Sequence, residues 1–253
     1  MTTKFVNSLQ PVVRQTLCNQ VKNLILQKLK CGELKPSDKL PPGEELAHAL
    51  GVSEGTVRRA LEELVADGIL TRRQGAGTFV HSYKEAGYWN RFQNFQRSDG
   101  RLFVYESTTV DSRHVQASEE TARALGIEPG RELVRTVRHM FDAETRELIG
   151  ADRLFLHPDY FPQDADARLL DGPRPGESLY QFYEREFSLT IIEASNVLTA
   201  IMGDSELEAS IPCPGLDGKV LFQIERVART YGRTPVEHRI EITDASRTRI
   251  CFD

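Results

Sequence analysis

Between Leu40 and Val80 the chain reads LPPGEELAHALGVSEGTVRRALEELVADGILTRRQGAGTFV, with glycines where two short helices and a hairpin would have to stop. Pro41 and Pro42 cannot continue a helix, but either can open one. A helix from there to Leu50 would bury Leu46, Ala47 and Leu50 and end at Gly51. Ser53 is placed to cap the next helix, its hydroxyl accepting from a first-turn amide. Val52 and Val57 form a candidate hydrophobic staple across that cap. Val57, Ala60, Leu61, Leu64 and Val65 make one apolar face, and Thr56, Arg58, Arg59, Glu62 and Glu63 the opposite one. Gly68 ends this helix. Ile69–Arg73 and Thr78–Val80 then read as two strands joined through Gln74, Gly75, Ala76 and Gly77. Upstream, Leu17, Val21, Leu24, Ile25 and Leu29 recur at helical spacing, predicting a helix from about Arg14 to Lys30 with Gly32 past its end.

This order is the layout of a winged helix-turn-helix, which makes double-stranded DNA the expected partner. The three- or four-residue connection before Ser53 holds the third helix proud of the core. Its N-terminus offers amides to a phosphate, with Arg58 and Arg59 one turn inside. Arg72 and Arg73 flank the wing, whose glycines let backbone approach a groove closely. The bland alternative is a helical subdomain with a surface hairpin and solvated arginines.

The stretch resembles the N-terminal domain of the GntR family of bacterial transcriptional regulators. Carrying the resemblance are Gly32, Leu40-Pro41, Glu45-Leu46-Ala47, Gly51-Val52-Ser53, Thr56-Val57-Arg58, Ala60-Leu61, Leu64, Gly68-Ile69-Leu70 and Arg73 to Val80. It implies that the third helix reads the major groove and the wing tip the minor groove. Contact roles then fall to Ser53, Gly55, Thr56, Arg58, Gln74 and Gly75, beside Arg59, Arg72, Arg73 and Gly77. Glu44 and Glu54 depart from the family, which usually has arginine there. A carboxylate cannot make arginine's bidentate contact to guanine and repels phosphate. An altered operator, or weaker binding leaning on the remaining arginines, is expected.

The chain has 253 residues, enough for two modest domains. A net charge of −5 is unlike a DNA binder, but it divides unevenly: residues 1–80 carry +3 and the remainder −8. Modest binding per protomer, strengthened by homodimerisation, is expected. No apolar run reaches membrane-spanning length, and MTTKFVNSLQ does not read as a signal peptide. Cys18, Cys31, Cys213 and Cys251 are far apart and read as reduced thiols of a cytoplasmic protein, with no zinc site.

Past a linker at residues 81–91, whose aromatic residues could dock on the second domain, the pattern turns to strands. Phe103–Val115, Glu132–Phe141, Leu148–Leu156, Ile191–Met202, Val220–Tyr231 and Val236–Thr243 read as strands. Short helices are opened by Ser118 and Ser178, the second running through Phe187. Adjacent strands with helices between them make the second domain (residues 92–253) an α+β fold on an antiparallel sheet, behind a reader at residues 10–80.

Residues 122–138 (ARALGIEPGRELVRTVR), Ser178-Leu179-Tyr180 and Gly232 to Glu237 resemble the UTRA effector domain of the HutC subfamily. The resemblance implies a chorismate-lyase-like fold, a pocket for a small metabolite and homodimerisation. By position it assigns Arg138 to an acidic group on the effector, with Ser178, Tyr180, Asp152, Glu237 and Arg239 as further pocket residues. Two plainer roles compete: Arg138 pairing with Asp152 across strands, and Ser178 serving only as a cap. Sugar-phosphate-sensing relatives often carry a second arginine where this chain has Met140, which weakens the case for a phosphate and permits a more apolar or singly charged ligand.

Enzyme signals are weak. Gly51-Val52-Ser53-Glu54-Gly55 matches the GxSxG nucleophile elbow, which needs a preceding strand, whereas the pattern here demands a helix. His48, His81, His114, His139, His157 and His238 have no metal spacing, and there is no Walker or GxGxxG loop. The expectation is a non-enzymatic, homodimeric, metabolite-responsive regulator without cofactor, most simply a repressor released from a palindromic operator. An effector-dependent activator of the same family, or a lyase-like or ligand-binding protein with vestigial DNA binding, is the alternative.

Overall fold

A computed structural model describes residues 15–83, 94–97, 100, 101, 104–174 and 176–251. The chain divides into two compact units, residues 1–81 and 82–253.

In the first unit, α1 (Leu17–Lys30) starts at Thr16, whose side chain accepts from the Asn19 amide. It buries Val21, Ile25 and Leu29, while Leu17 and Leu24 of the expected apolar stripe are exposed. Arg14 lies outside the described residues. α2 (Gly43–Leu50) buries only Ala47 fully, leaves Leu50 exposed, and closes at Gly51 in the left-handed conformation. α3 (Glu54–Ala66) is capped by Ser53 and buries Val57, Ala60, Leu61 and Leu64. β1 (Leu70–Arg73) and β2 (Gly77–Val80) pair antiparallel, Leu70 opposite Val80 and Arg73 opposite Gly77. Lys39 bridges to Phe79, and the Leu40 amide donates to the Thr78 carbonyl at 2.9 Å, so a third segment tethers the wing.

In the second unit, β3 (Asn94–Arg97) leads to β4 (Tyr105–Gln116), α4 (Glu119–Leu125), β5 (Glu132–Asp142) and β6 (Leu148–Leu156). α5 (Ala165–Asp171), α6 (Leu179–Phe187), β7 (Glu193–Met202), α7 (Ser205–Ser210), β8 (Val220–Thr230), β9 (Thr234–Asp244) and β10 (Thr248–Cys251) come next. Six strands form one antiparallel sheet in the order β4-β5-β6-β9-β8-β7, and β10 pairs with β3 separately. The expected strands and both serine-capped helices are present; α5, α7, β3 and β10 were not foreseen. Ser82 and Tyr83, within the stretch read as linker, are buried in this unit.

The register decides what the sheet's two faces carry. Val134 pairs with Leu156, Leu156 with Glu237, and Glu237 with Ala228; further along, Arg138 pairs with Asp152, Asp152 with Glu241, and Glu241 with Ile224. Side chains two apart along a strand share a face. One face therefore runs from an apolar end of Val134, Leu154, Leu156 and Ala228 beneath α5 and α6, through a charged middle, to a second apolar end of Met140 and Ile224 with Ile250. Gly150 fixes the β6–β9 approach: a Cβ there would stand 2.1 Å from the Ile242 carbonyl oxygen.

The small β3–β10 sheet is anchored by Arg97, whose Nη1 and Nη2 donate to the two Asp142 carboxylate oxygens at 2.7 Å each. The Glu144 and Thr145 amides also donate to Asp142. The Arg97 bond above all holds the Asp142 pKa down at about 2, against an ordinary 3.8. A depressed carboxylate stabilises the fold above its unfolded pKa and loses that contribution as pH falls through the folded one. Asp142→Asn should cost about 2 kcal/mol at pH 7, and the gap from wild type should close between pH 4 and pH 2. Urea unfolding of both proteins across that range checks this.

Candidate DNA interface and effector site

In the reader, Ser53 Oγ accepts from the Thr56 amide at 3.2 Å and lies 2.9 Å from the Thr56 hydroxyl. A Cβ on Gly55 would meet only Ser53 Oγ, at 3.8 Å, so glycine keeps the first turn of α3 bare rather than relieving a clash. Gln74 and Gly75 are exposed at the wing tip, and Gly75 and Gly77 have φ of +71° and +119°, which favour glycine. Arg73 lies over the Phe79 ring, its guanidinium carbon 4.4 Å from the centroid. Lys39 was missed by sequence reasoning: its ammonium lies 6.0 Å from the same ring and its stem occupies the space a Gly77 side chain would need.

Three of the arginines separate into two groups. Glu62 Oε1 lies 4.0 Å from both Arg58 and Arg72, linking recognition helix and wing. Arg59 instead donates to Glu63 at 3.1 Å, and Glu63 also accepts from Lys22 of α1 at 3.1 Å. Those bonds, Lys22 first, hold the Glu63 carboxylate below its ordinary pKa. Arg59 is thus drawn toward α1, and Arg58 with Arg72 toward the wing. Glu44 and Glu54 are exposed.

In the second unit, the sheet face with the charged middle gathers Arg138, Asp152, Arg226, Glu237, Arg239 and Glu241, each at most 4% exposed. Arg138 Nε donates to Asp152 Oδ1 at 2.9 Å, its Nη2 to Oδ2, and its Nη1 to Ser107 Oγ at 3.1 Å. Burial opposes the Arg138 charge, but Asp152 outweighs it and the pKa rises above the ordinary arginine value. The cross-strand pairing alternative is therefore the arrangement observed.

Glu237 is held by three groups: Tyr183 OH at 2.7 Å, Tyr180 OH at 3.4 Å and Arg239 Nε at 3.0 Å. Arg239 Nη2 lies 2.8 Å from Glu237 Oε1 but off the N–H direction, so it makes an electrostatic contact and no hydrogen bond. Thr243 Oγ1, on the same face, also has no hydrogen-bond partner. Arg226 donates from Nε to Asn196 Oδ1 at 2.8 Å and reaches Tyr180 OH at 3.5 Å. Burial raises Glu241 above the ordinary carboxylate range and, with Glu237, pushes the Tyr180 and Tyr183 hydroxyls up. Tyr105 is pushed up to about 12, by burial and then Glu241.

Ser178 closes a full capping box: its Oγ accepts from the Gln181 amide at 3.2 Å, and Gln181 Oε1 accepts from the Ser178 amide at 2.7 Å. The helix it starts, α6, also grips the segment after the wing. Glu184 accepts from Ser82 Oγ at 2.8 Å and from the Tyr83 amide at 3.2 Å, and Gln181 Nε2 donates to the Tyr83 carbonyl at 2.8 Å. Tyr83 OH donates to the Ile191 carbonyl at 2.7 Å, and its ring centre lies 5.6 Å from that of Tyr180.

The structure brings Arg138, Asp152, Tyr180, Glu237 and Arg239 together, with Ser178 at the start of the helix that carries Tyr180. Arg226, Glu241 and Tyr183 complete the cluster and were not foreseen; a charged residue at an inward position of β8 was the available signal for Arg226. Among the described residues no group of His, Cys, Asp and Glu could hold a metal, and no helix is long and apolar enough to cross a membrane.

A winged reader followed by a domain with a buried charged band defines a transcription regulator with its own sensing module. Residues 17–80 match the bacterial regulatory proteins of the gntR family, and residues 100–249 match the UTRA domain. The chain belongs to the GntR family and is a regulator of its HutC type. It is 29% identical over 245 residues to the histidine utilization repressor of Pseudomonas putida, covering 91% of this chain and 89% of that one. It is 27% identical over 220 residues to the HTH-type transcriptional regulator YurK of Bacillus subtilis, covering 86% of each. Among solved structures, the ligand-binding domain of a GntR-family regulator from Bordetella bronchiseptica superposes with a TM-score of 0.54 at 24% identity, over 64% of this chain and 97% of that one. Winged helix-turn-helix plus antiparallel α+β sensor is therefore the fold class, as the sequence implied.

Glu62→Gln should free Arg58 and Arg72 and remove a negative charge beside the expected phosphates. Affinity for duplex DNA should rise about two- to fivefold at low salt, with less gain at high salt; fluorescence anisotropy titrations at two ionic strengths check this.

Proposed function

We propose that this regulator is a homodimeric cytoplasmic repressor that leaves a palindromic operator when a small acidic metabolite enters the charged band of its UTRA domain. Each protomer places α3 in one major-groove half-site and the wing tip in the adjacent minor groove. Ser53, Gly55, Thr56 and Arg58 face the bases and phosphates of the major groove. Arg72, Arg73, Gln74, Gly75 and Gly77 serve the wing, and Arg59 holds α3 on α1.

The observation that carries the effector reading is the band itself, in which Arg138, Arg226 and Arg239 lie with Asp152, Glu237 and Glu241 on one buried sheet face. Arg239 Nη2 is ion-paired with Glu237 at 2.8 Å in poor hydrogen-bond geometry, and a better-aligned ligand oxygen would improve on that contact. Arg138 is already neutralised by Asp152, and Met140 stands where a second arginine would serve a phosphate. A ligand with one negative charge fits this balance better than a dianion. No residue is assigned a catalytic role, and no cofactor is required.

Signal transfer runs through α6. Tyr180 and Tyr183 bond Glu237 inside the band, while Glu184 of the same helix grips Ser82 and Tyr83. Effector that displaces either tyrosine moves the helix holding the segment two residues past the wing. Coupling between ligand and operator is then the difference in effector affinity between the two helix positions.

The test is binding of the full-length protein to DNA from its own upstream region, at two salt concentrations, with a panel of small carboxylates and phosphorylated metabolites. Selective binding weakened by one monocarboxylate is expected. Weak, nonselective binding that disappears with salt whatever is added would overturn the reading. For the relay, Glu184→Gln should keep effector and operator binding but reduce the effector's influence on operator affinity severalfold. Calorimetric titration of the effector with and without operator reads that coupling, and an unchanged ratio would remove Glu184 from it.

A further inference from the structure

Backbone hydrogen bonds make residues 37–40 a third member of the wing. The Ser37 amide donates to the Val80 carbonyl at 3.1 Å, the Val80 amide to the Asp38 carbonyl at 2.8 Å, and the Leu40 amide to the Thr78 carbonyl at 2.9 Å. Lys39 therefore stands opposite Phe79 on one side as Thr71 does on the other, and Arg73 stands opposite Gly77. Cross-strand partners, and residues two apart along a strand, project to the same face. Leu40, Leu70 and Val80, on the other face, are buried. The outer face is left with Lys39, Thr71, Arg73, Gly77 and Phe79.

On that face the Phe79 ring has two cations beside it, the Arg73 guanidinium carbon at 4.4 Å and the Lys39 ammonium at 6.0 Å from its centroid. Gly77 makes room for the second: a Cβ there would stand 2.9 Å from Lys39 Cε. Lys39 is exposed, and the neighbouring Asp38 carboxylate is occupied, accepting from the Lys35 amide at 2.8 Å. Arg58, Arg59 and Arg72 each have a glutamate oxygen within 4.0 Å. Lys39 has no carboxylate so close among the described residues. An ammonium whose stem is already packed, and whose charge is not shared with a carboxylate, meets an external anion at little ordering cost.

We infer that Lys39 contacts DNA, taking a backbone phosphate beside the groove that the wing tip enters, from a segment outside both α3 and the hairpin. This rests on the reading of the first unit as a DNA reader. Phe79 is a positioning residue here, and Gly77 clears the space in which the lysine stem lies. A lysine is a point charge without the planar fork that matches a base edge, so the contact adds affinity and register but no sequence preference.

The experiment is a fluorescence anisotropy titration of the full-length protein with DNA from its own upstream region and with an unrelated duplex of equal length, between about 50 and 200 mM salt. Lys39→Met keeps an unbranched apolar stem against Phe79 and Gly77 and removes the charge. It should weaken binding to both duplexes about three- to tenfold at the lowest salt, lower the salt slope by about 0.9 for each protomer bound, and leave the ratio of the two affinities unchanged. Lys39→Arg should bind as wild type does. Lys39→Met matching wild type in affinity and slope would overturn the phosphate contact, as would Lys39→Arg losing as much as Lys39→Met. A changed ratio between the duplexes would overturn it too, by making Lys39 a reader of bases. Wild type that does not distinguish the two duplexes would count against the operator reading, while the loss measured on the unrelated duplex still decides the role of Lys39.

Discussion

The structure of the sensing domain depends on charges that must be buried together. Arg138 with Asp152 and Arg239 with Glu237 sit in the middle of a sheet face whose two ends are apolar. Taking such ions out of water costs several kcal/mol each, and only close mutual pairing returns it. Removing either partner of a buried pair typically costs about 3–5 kcal/mol. The strand register that brings Arg138 opposite Asp152, and Asp152 opposite Glu241, is therefore a condition of folding. The tyrosines of α6 finish the arrangement by donating to Glu237 from above the sheet.

The reader depends on weaker and more exposed electrostatics. Glu62 and Glu63 each sit between basic groups, but these pairs are solvated and worth little to stability. Their effect is on direction. They sort Arg58 and Arg72 to the wing side and Arg59 to α1, a division that the sequence pattern of two adjacent arginines does not reveal.

Caps and turns were the most legible features. Ser53, Ser118 and Ser178 each accept from the amide three residues on, and Gly51 and Gly126 close helices in the left-handed conformation. These signals are local, so neighbouring residues suffice to read them. Less legible was the direction of side chains on β9. Glu237, Arg239 and Glu241 alternate with Val236, His238, Ile240 and Ile242, a pattern that ordinarily turns charge toward solvent. Here both faces are covered and the charges point inward, because their partners arrive from β5, β6, β8 and α6, distant in sequence. Resemblance to known regulators picked out Glu237 and Arg239; it did not pick out Arg226 or Glu241. On α1 and α2, apolar periodicity overstated burial at Leu17, Leu24 and Leu50, since three short helices share too small a core to cover every apolar position.

Gly150 has a consequence for how such a sensor diverges. Because any side chain there would strike the β9 backbone at Ile242, the close β6–β9 approach holds only while this position is glycine. Exchanges at Met140 or Thr243, which pair with or flank this glycine, leave that close backbone approach in place.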